Sequence, residues 1–371
     1  MLTDIPCMLI RGGTSKGPYF LREDLPADPA ERDRLLLAVM GSPHLRQIDG
    51  IGGGDSLTSK AVIVGRSSRP GIDLEYLFAQ VAVGRPEVDT SPNCGNMLAG
   101  VGPFAIESNL VVARDPETTL RVFNLNTGKT VECVVQSPGG RVTYEGEARI
   151  DGVPGTGAPI VLNFLNAAGA KTGRLLPTGR VLDVVEGIPV SCVDLSTPLV
   201  FAHAASFGKS GYETKAELDA DTSFLARLES IRRGAARLMG LGDVAGKVLP
   251  KFALVAPPAR GGNVASRYFV PWNCHSAYAV TGALCLGAAC CIPGTVANVA
   301  ACLHDNQPGL VVIEHPAGKL ETRMTMRKAD GDGMPEFERA GIVRTARPLL
   351  AGVVHVVGPE RRLGQDELSG V

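Results

Sequence analysis

Hydrophobic and polar positions alternate along this chain mostly in short runs. IPCMLI (5–10), KAVIV (60–64), LFAQVAV (77–83), TLRVF (119–123), TVECVVQ (130–136), LVVIEH (310–315) and GVVHVVG (352–358) read as strands. Apolar and β-branched residues in runs of this length fit a pleated, half-buried surface. Gly, Pro and Asn/Asp clusters punctuate the runs, supplying turns. A helical period appears in fewer places. DPAERDRLLLAVMGS (28–42) is amphipathic, with Asp28 placed to cap it, and SFLARLESIRRGAARLMG (223–240) carries apolar residues at helical spacing over a polar face. The segments beginning at Cys94 and Cys274 are small and apolar and read as buried helices. Strands outnumber helices without alternating regularly with them, which predicts an α+β fold rather than a doubly wound sheet.

The two buried segments resemble each other. In NCGNMLAGVGPFAIE (93–107) and NCHSAYAVTGALCLG (273–287), Asn93 and Cys94 align with Asn273 and Cys274, Ala99 with Ala279, and Gly102 with Gly282. They lie about half the chain apart. Two pseudo-symmetric halves, each a sheet wrapped on one buried helix, would produce this pattern. The expected division is 1–180 and 181–371, with the final strand returning to the first half. The two helix N-termini would face one another across a cleft.

Charge and composition narrow the function classes. Balanced charge, 37 basic against 38 acidic residues, argues against a polyanion partner, and 5% aromatics argues against a base-stacking platform. The N-terminus, MLTDIPCMLIRGG, carries Asp4 and Pro6 and lacks a signal-peptide pattern. SAYAVTGALCLGAACCIPG (276–294) has no charge, but it is rich in Ala and Gly and lacks aromatic or basic flanks, so a buried helix explains it better than a membrane span. Nine cysteines, an odd number with no CxxC pair, fit a reducing cytoplasm and mostly buried thiols. The histidines form no metal-ligand spacing, and no nucleotide motif appears, so neither a metal nor a cofactor is expected.

Four stretches carry candidate chemistry. Cys94 sits where a helix dipole would lower a thiol's pKa, with Ser91 and Asn93 as caps and the Gly95 and Asn96 amides available to a carboxylate. Read alone, a cysteine packed at a helix start is the commoner case. Lys60 stands where the Gly-rich loop GIGGGDSLTSK (50–60) meets a strand. Gly52, Gly53 and Gly54 permit close backbone approach, Ser56, Thr58 and Ser59 supply hydroxyls, and a partly buried lysine can serve as a base. A lysine at such a junction is more often simply solvated. RGGTSKGPYF (11–20) is not a phosphate loop, because Lys16 precedes Gly17 where that motif ends in Gly-Lys-Ser/Thr. It still offers Arg11, Thr14, Ser15 and Lys16 on a flexible loop suited to a di- or tricarboxylate. His275 follows Cys274 at the expected start of the second helix and could donate to a carboxylate.

Taken together, RGGTSKG, QIDGIGGGDSLTSK and NCGNMLAGVGPFAIE resemble the PrpF-like isomerases. DGVPGTGAPI, LPTG, NVASRYFVP (263–271), CHSAYAVTGA, EHPAGKLE and GIVRTAR extend the likeness from residue 5 to near 357. The resemblance implies a diaminopimelate-epimerase-like fold of two similar α+β halves. It implies a cofactor-free proton shift on an unsaturated polycarboxylate, with Lys60 and Cys94 as the acid/base pair. Arg11, Thr14, Ser15, Ser56, Asn93, Gly95, Asn96, Arg267, His275 and Ser276 are the implied substrate-binding residues. The implied substrates are 4-oxalomesaconate, in aromatic-acid breakdown, or methylaconitate, in propionate metabolism. Because Cys274 occupies the second-half position, a two-cysteine racemase or epimerase stands beside them. A homodimer suits such a fold.

Overall fold

A computed structural model of the chain describes residues 2–165, 167–270, 272–327 and 334–357. Pro271, which ends the NVASRYFVP motif, and Gly358, which ends the last predicted strand, lie outside the described residues, as does the remainder of the second half's expected range. Two compact units emerge, and the chain passes between them at residues 149–161 and again at Arg344, rather than near 180.

The first unit holds β1 (Leu2–Gly12), β2 (Ser15–Leu21), α1 (Pro29–Met40), β3 (Lys60–Arg66), β4 (Leu74–Val81), β5 (Val88–Asp89), α2 (Gly95–Leu98), α3 (Val101–Glu107), β6 (Glu117–Asn124) and β7 (Lys129–Gln136). The second holds β8 (Ile160–Leu165), except Ile160, then β9 (Asp183–Val185), β10 (Ile188–Leu195), β11 (Thr197–His203), α4 (Lys215–Ala220), α5 (Thr222–Leu238), β12 (Lys251–Ala256), β13 (Val264–Phe269), α6 (Val280–Cys291), α7 (Val296–Ala300), β14 (Leu310–His315), β15 (Gly318–Arg327) and β16 (Glu336–Arg344), whose last residue, Arg344, already belongs to the first unit. Then β17 (Ala346–Val357) returns to the first unit and pairs antiparallel with β1.

The repeat is visible in the strand pairing. In the first unit β1 and β2 form a hairpin, β2 lies parallel to β3, β3 antiparallel to β4, β4 parallel to β6, and β6 antiparallel to β7. In the second unit β10–β11–β12–β13–β14–β15 repeats that order of antiparallel and parallel pairings. Parallel neighbours need a crossover, and both units make theirs with helices: α1 before β3, α2–α3 before β6, α4–α5 before β12, and α6–α7 before β14. The fold is α+β and pseudo-symmetric, as the resemblance implies.

Strand alternation sorts the first unit's side chains onto two faces. Phe20, Ala61, Ile63 and Ala79 pack with Leu36 and Met40 of α1. The opposite face takes Tyr19, whose ring centroid lies 5.7 Å from that of Phe104 in α3. Asp28 caps α1 by accepting from the Glu31 amide at 2.9 Å, with Pro29 in the first turn. In α3 a Cβ on Gly102 would strike Val135 and Cys133, so glycine sets how closely the helix approaches β7. The apolar run at 276–294 forms α6, a buried 12-residue helix, and no helix among the described residues is long and apolar enough to cross a membrane.

Candidate active site

Lys60 opens β3 and belongs to the face of the sheet that carries Tyr19, Tyr76, Phe78 and Gln80, since its neighbour Ala61 packs toward α1. Only 7% of the lysine is exposed. It stands opposite Gln80 of β4 in the register, and its Nζ lies 2.5 Å from Gln80 Oε1 and 5.0 Å from the centre of the Phe78 ring. Gln80 Nε2 donates to the carbonyls of Ser56 at 3.1 Å and Ser59 at 2.9 Å, tying the Gly-rich loop to the strand. Burial pulls the Lys60 pKa down, while Cys94 and Asp55 pull it back up. The net shift is downward, toward an amine that can accept a proton.

Cys94 is itself the N-cap of α2, in extended backbone with φ −131° and ψ 98°, and no side chain caps the helix. The two expected caps are otherwise engaged. Ser91 donates to Asp89, and Asn93 Oδ1 accepts from Asn124 Nδ2 at 2.7 Å. A first helical turn has no intrahelical acceptors for its amides, so Gly95 and Asn96 present theirs beside a half-buried thiol. Two buried tyrosines fix the turn from beneath: Tyr76 donates to the Cys94 carbonyl at 3.1 Å and Tyr19 to the Met97 carbonyl at 2.5 Å.

Residues 11–17 form a tight hairpin rather than a flexible loop. Gly12 pairs with Ser15 across the two-residue turn Gly13–Thr14, so Arg11 and Lys16 lie in strands. Gly13 has φ 52°, and a Cβ on either Gly12 or Gly13 would collide with Asn96. Glycine therefore lets the hairpin touch the start of α2. Across that contact, Asn96 Nδ2 donates to Thr14 Oγ1 at 2.9 Å and Asn96 Oδ1 accepts from Arg344 Nε at 3.1 Å. Thr14 thus keeps its own O–H to donate. Burial holds the Arg344 pKa down to about 10, with Cys94 pulling the other way. Arg11 spends one guanidinium nitrogen on the Thr345 carbonyl and hydroxyl, at 2.7 and 2.8 Å, fastening the hairpin to the strand that enters β17. Ser15 is buried with an unpaired hydroxyl, and Ser56 is exposed.

Arg267, His275 and Ser276 belong to the second unit. Arg267 is buried and donates to the Glu213 carbonyl at 2.6 Å and the Ser266 carbonyl at 3.0 Å. Cys274 and His275 do not start a helix, contrary to the sequence expectation. The helix begins at Val280 with Ala279 as its cap, and Cys274 instead bridges to Phe269. The intervening HSAYA stretch is a turn in which His275 Nδ1 accepts from the Ala277 amide at 2.9 Å. Asp219 accepts from the Cys274 amide, Lys215 donates to its carbonyl, and burial pushes its thiol up to about 11 against the pull of Arg267. Ser276 is exposed. Among the described residues no cluster of His, Cys, Asp and Glu could hold a metal ion.

The sequence pattern of the PrpF protein family matches residues 2–357. The chain belongs to the PrpF family. It is 50% identical over 351 residues to a (4E)-oxalomesaconate Delta-isomerase of Novosphingobium sp., covering 95% of this chain and 97% of that one. It is 47% identical over 364 residues to a 4-oxalomesaconate tautomerase of Pseudomonas putida, covering 97% and 99%. The solved structure of a methylitaconate-delta-isomerase superposes with a TM-score of 0.85 at 37% identity, covering 98% of this chain and all of that one. This PrpF-family chain is an isomerase.

Sequence reasoning missed Gln80, Tyr76, Tyr19 and Arg344. The alternation of LFAQVAV does place Gln80 on a defined face, but only the β3–β4 register brings it to Lys60. Arg344 lies in the quoted GIVRTAR motif, some 250 residues from Asn96, and nothing local points to that partner.

Proposed function

We propose that this protein shifts a proton within an unsaturated polycarboxylate, with 4-oxalomesaconate as its substrate. The reading rests on one observation above the rest. A desolvated lysine on β3 and a cysteine at an uncapped helix start belong to the same unit, and the cysteine is one of the groups that act electrostatically on the lysine. Membership of the PrpF family and the names of the two relatives support the substrate class.

In this mechanism neutral Lys60 takes the acidic proton next to the substrate's carbonyl, and the electron pair left behind spreads over the adjoining double bond. The Gly95 and Asn96 amides and the Thr14 hydroxyl face the developing negative charge. Such donors act best where water is excluded. Cys94 returns a proton at the far carbon of the conjugated system or at oxygen, and its thiolate is reprotonated from the Lys60 ammonium. One proton leaves and one arrives, so no redox partner is required. The racemase reading, which pairs Cys94 with Cys274, is disfavoured by the burial of Cys274, its raised thiol pKa and its distance in sequence from any helix start.

The test is NMR of the purified protein in D₂O with 4-oxalomesaconate, beside 2-methylaconitate and a Cys94→Ala variant. Conversion of oxalomesaconate, lost in the variant, supports the reading. Conversion of methylaconitate alone moves the substrate and keeps the chemistry. Turnover of neither sinks it.

A further inference from the structure

Gln80 has no role in the steps above, yet its hydrogen bonds admit only one orientation. Nε2 faces two carbonyl oxygens, of Ser56 and Ser59. Only the amide nitrogen can donate to both, so the atom 2.5 Å from Lys60 Nζ is the amide oxygen. Both Gln80 hydrogens are engaged with the Gly-rich loop, and its oxygen is left for the lysine. A neutral amine that gives one N–H to this oxygen has its lone pair turned away from β4.

We propose that Gln80 is a positioning residue for the proton transfer: its carbonyl orients the uncharged Lys60 amine, and its amide couples that orientation to the Gly-rich loop. This rests on the reading of Lys60 as base. The choice of glutamine over glutamate carries the argument. The charged or titratable groups facing Lys60 are the Cys94 thiol from the start of α2 and the Asp55 carboxylate from the loop, and both favour the ammonium. From β4 come only the neutral Gln80 and Phe78, and from β2 comes Gly17, packed on the Lys60 carbonyl. A carboxylate at position 80 would add a third acid in direct contact and return the lysine to its charged, inactive form. Opposite charges this close raise a base's pKa by about one to three units.

The experiment is the pH dependence of kcat/KM on 4-oxalomesaconate, with 2-methylaconitate in parallel, for the wild type and for Gln80→Glu, Gln80→Met and Lys60→Ala. Thermal melting is measured alongside. Gln80→Glu should move the acidic limb, along which the rate rises as the lysine loses its proton, up by about one unit or more, with activity recovering at high pH. Gln80→Met keeps the length without the acceptor and should lower kcat about tenfold or more, with less effect on KM. An acidic limb that stays in place in Gln80→Glu while Lys60→Ala is inactive overturns the inference and leaves the base assignment standing. If Gln80→Glu does not fold, wild-type kcat in Gln80→Met overturns it equally. Wild-type turnover in Lys60→Ala would instead remove the base assignment and this inference with it.

Discussion

The hydroxyl of Tyr76 donates to the carbonyl oxygen of Cys94 at 3.1 Å, and the same oxygen accepts the Leu98 amide at 3.0 Å. The backbone of Cys94 is therefore held from the sheet below and from its own helix. Tyr76 is fully buried on β4, so its hydroxyl has no access to solvent. Tyr76→Phe should destabilise the protein by about 0.5–1.5 kcal/mol, the net worth of one such bond. It should lower kcat more than it raises KM, because it loosens the thiol and removes no substrate contact. Chemical denaturation and steady-state kinetics check the two halves separately.

The contact between the hairpin and α2 makes a second prediction. Gly13 occupies the left-handed region, and a Cβ there would strike Asn96 Oδ1, the atom that receives Arg344. Gly13→Ala should cost roughly 1–3 kcal/mol through backbone strain. It should also disturb Asn96 and so depress activity. Gly128, with φ 66° and open space around it, is the control. Gly128→Ala carries similar backbone strain without the collision, so its activity per folded molecule should match the wild type.

The two aligned cysteines should behave differently. Cys94 is half-buried at a helix start, whereas Cys274 is buried with its thiol pushed up to about 11. Cys94→Ala should reduce kcat by about 10²–10⁴, the usual worth of a positioned proton donor. Cys274→Ala should keep turnover. Iodoacetamide at neutral pH should inactivate a Cys302→Ser background in step with alkylation of Cys94, read by peptide mass spectrometry. Cys302 is replaced because it is the exposed thiol.

Much of the fold was legible because it is written in local pattern. Asp28 and Pro29 mark the start of α1, and the Lys60 junction falls where loop composition gives way to an apolar run. The repeat between residues 93–107 and 273–287 reports the doubled topology. It misled at Cys274, where the identities continue but the helix waits until Val280. The mixed composition of HSAYA, with His275 and Ser276 beside Ala and Tyr, suits a partly exposed turn as well as a helix. The reason for the turn lies elsewhere in the second unit, in Asp219 and Lys215 of α4, which take the Cys274 backbone groups that a helix would have used. The neighbours of Lys60 were hidden for a related reason. Strand alternation gives the face of a residue, but the partner across the sheet depends on register, which the β3–β4 pairing decides.

The burial of Lys60 also predicts how stability depends on pH. Its folded-state pKa is lowered, chiefly by desolvation, below that of an exposed lysine, so the unfolded chain binds this proton more tightly than the folded one does. Stability rises with pH wherever the unfolded state holds more protons. The lysine's charge therefore penalises folding at pH values below its folded pKa, and the penalty fades as pH climbs from that value toward the ordinary lysine range. A Lys60→Met variant has no such proton. Denaturation of both proteins at neutral pH and again near pH 9.5 should show the wild type gaining on the variant as pH rises. A constant difference would mean that Lys60 titrates alike in both states and that burial does not tune the proposed base. At the lower pH the variant keeps the stem's packing but leaves Gln80 Oε1 without its lysine, so the absolute difference mixes two effects. The slope with pH isolates the proton, and it bears on whether this site has set stability aside to keep an amine uncharged.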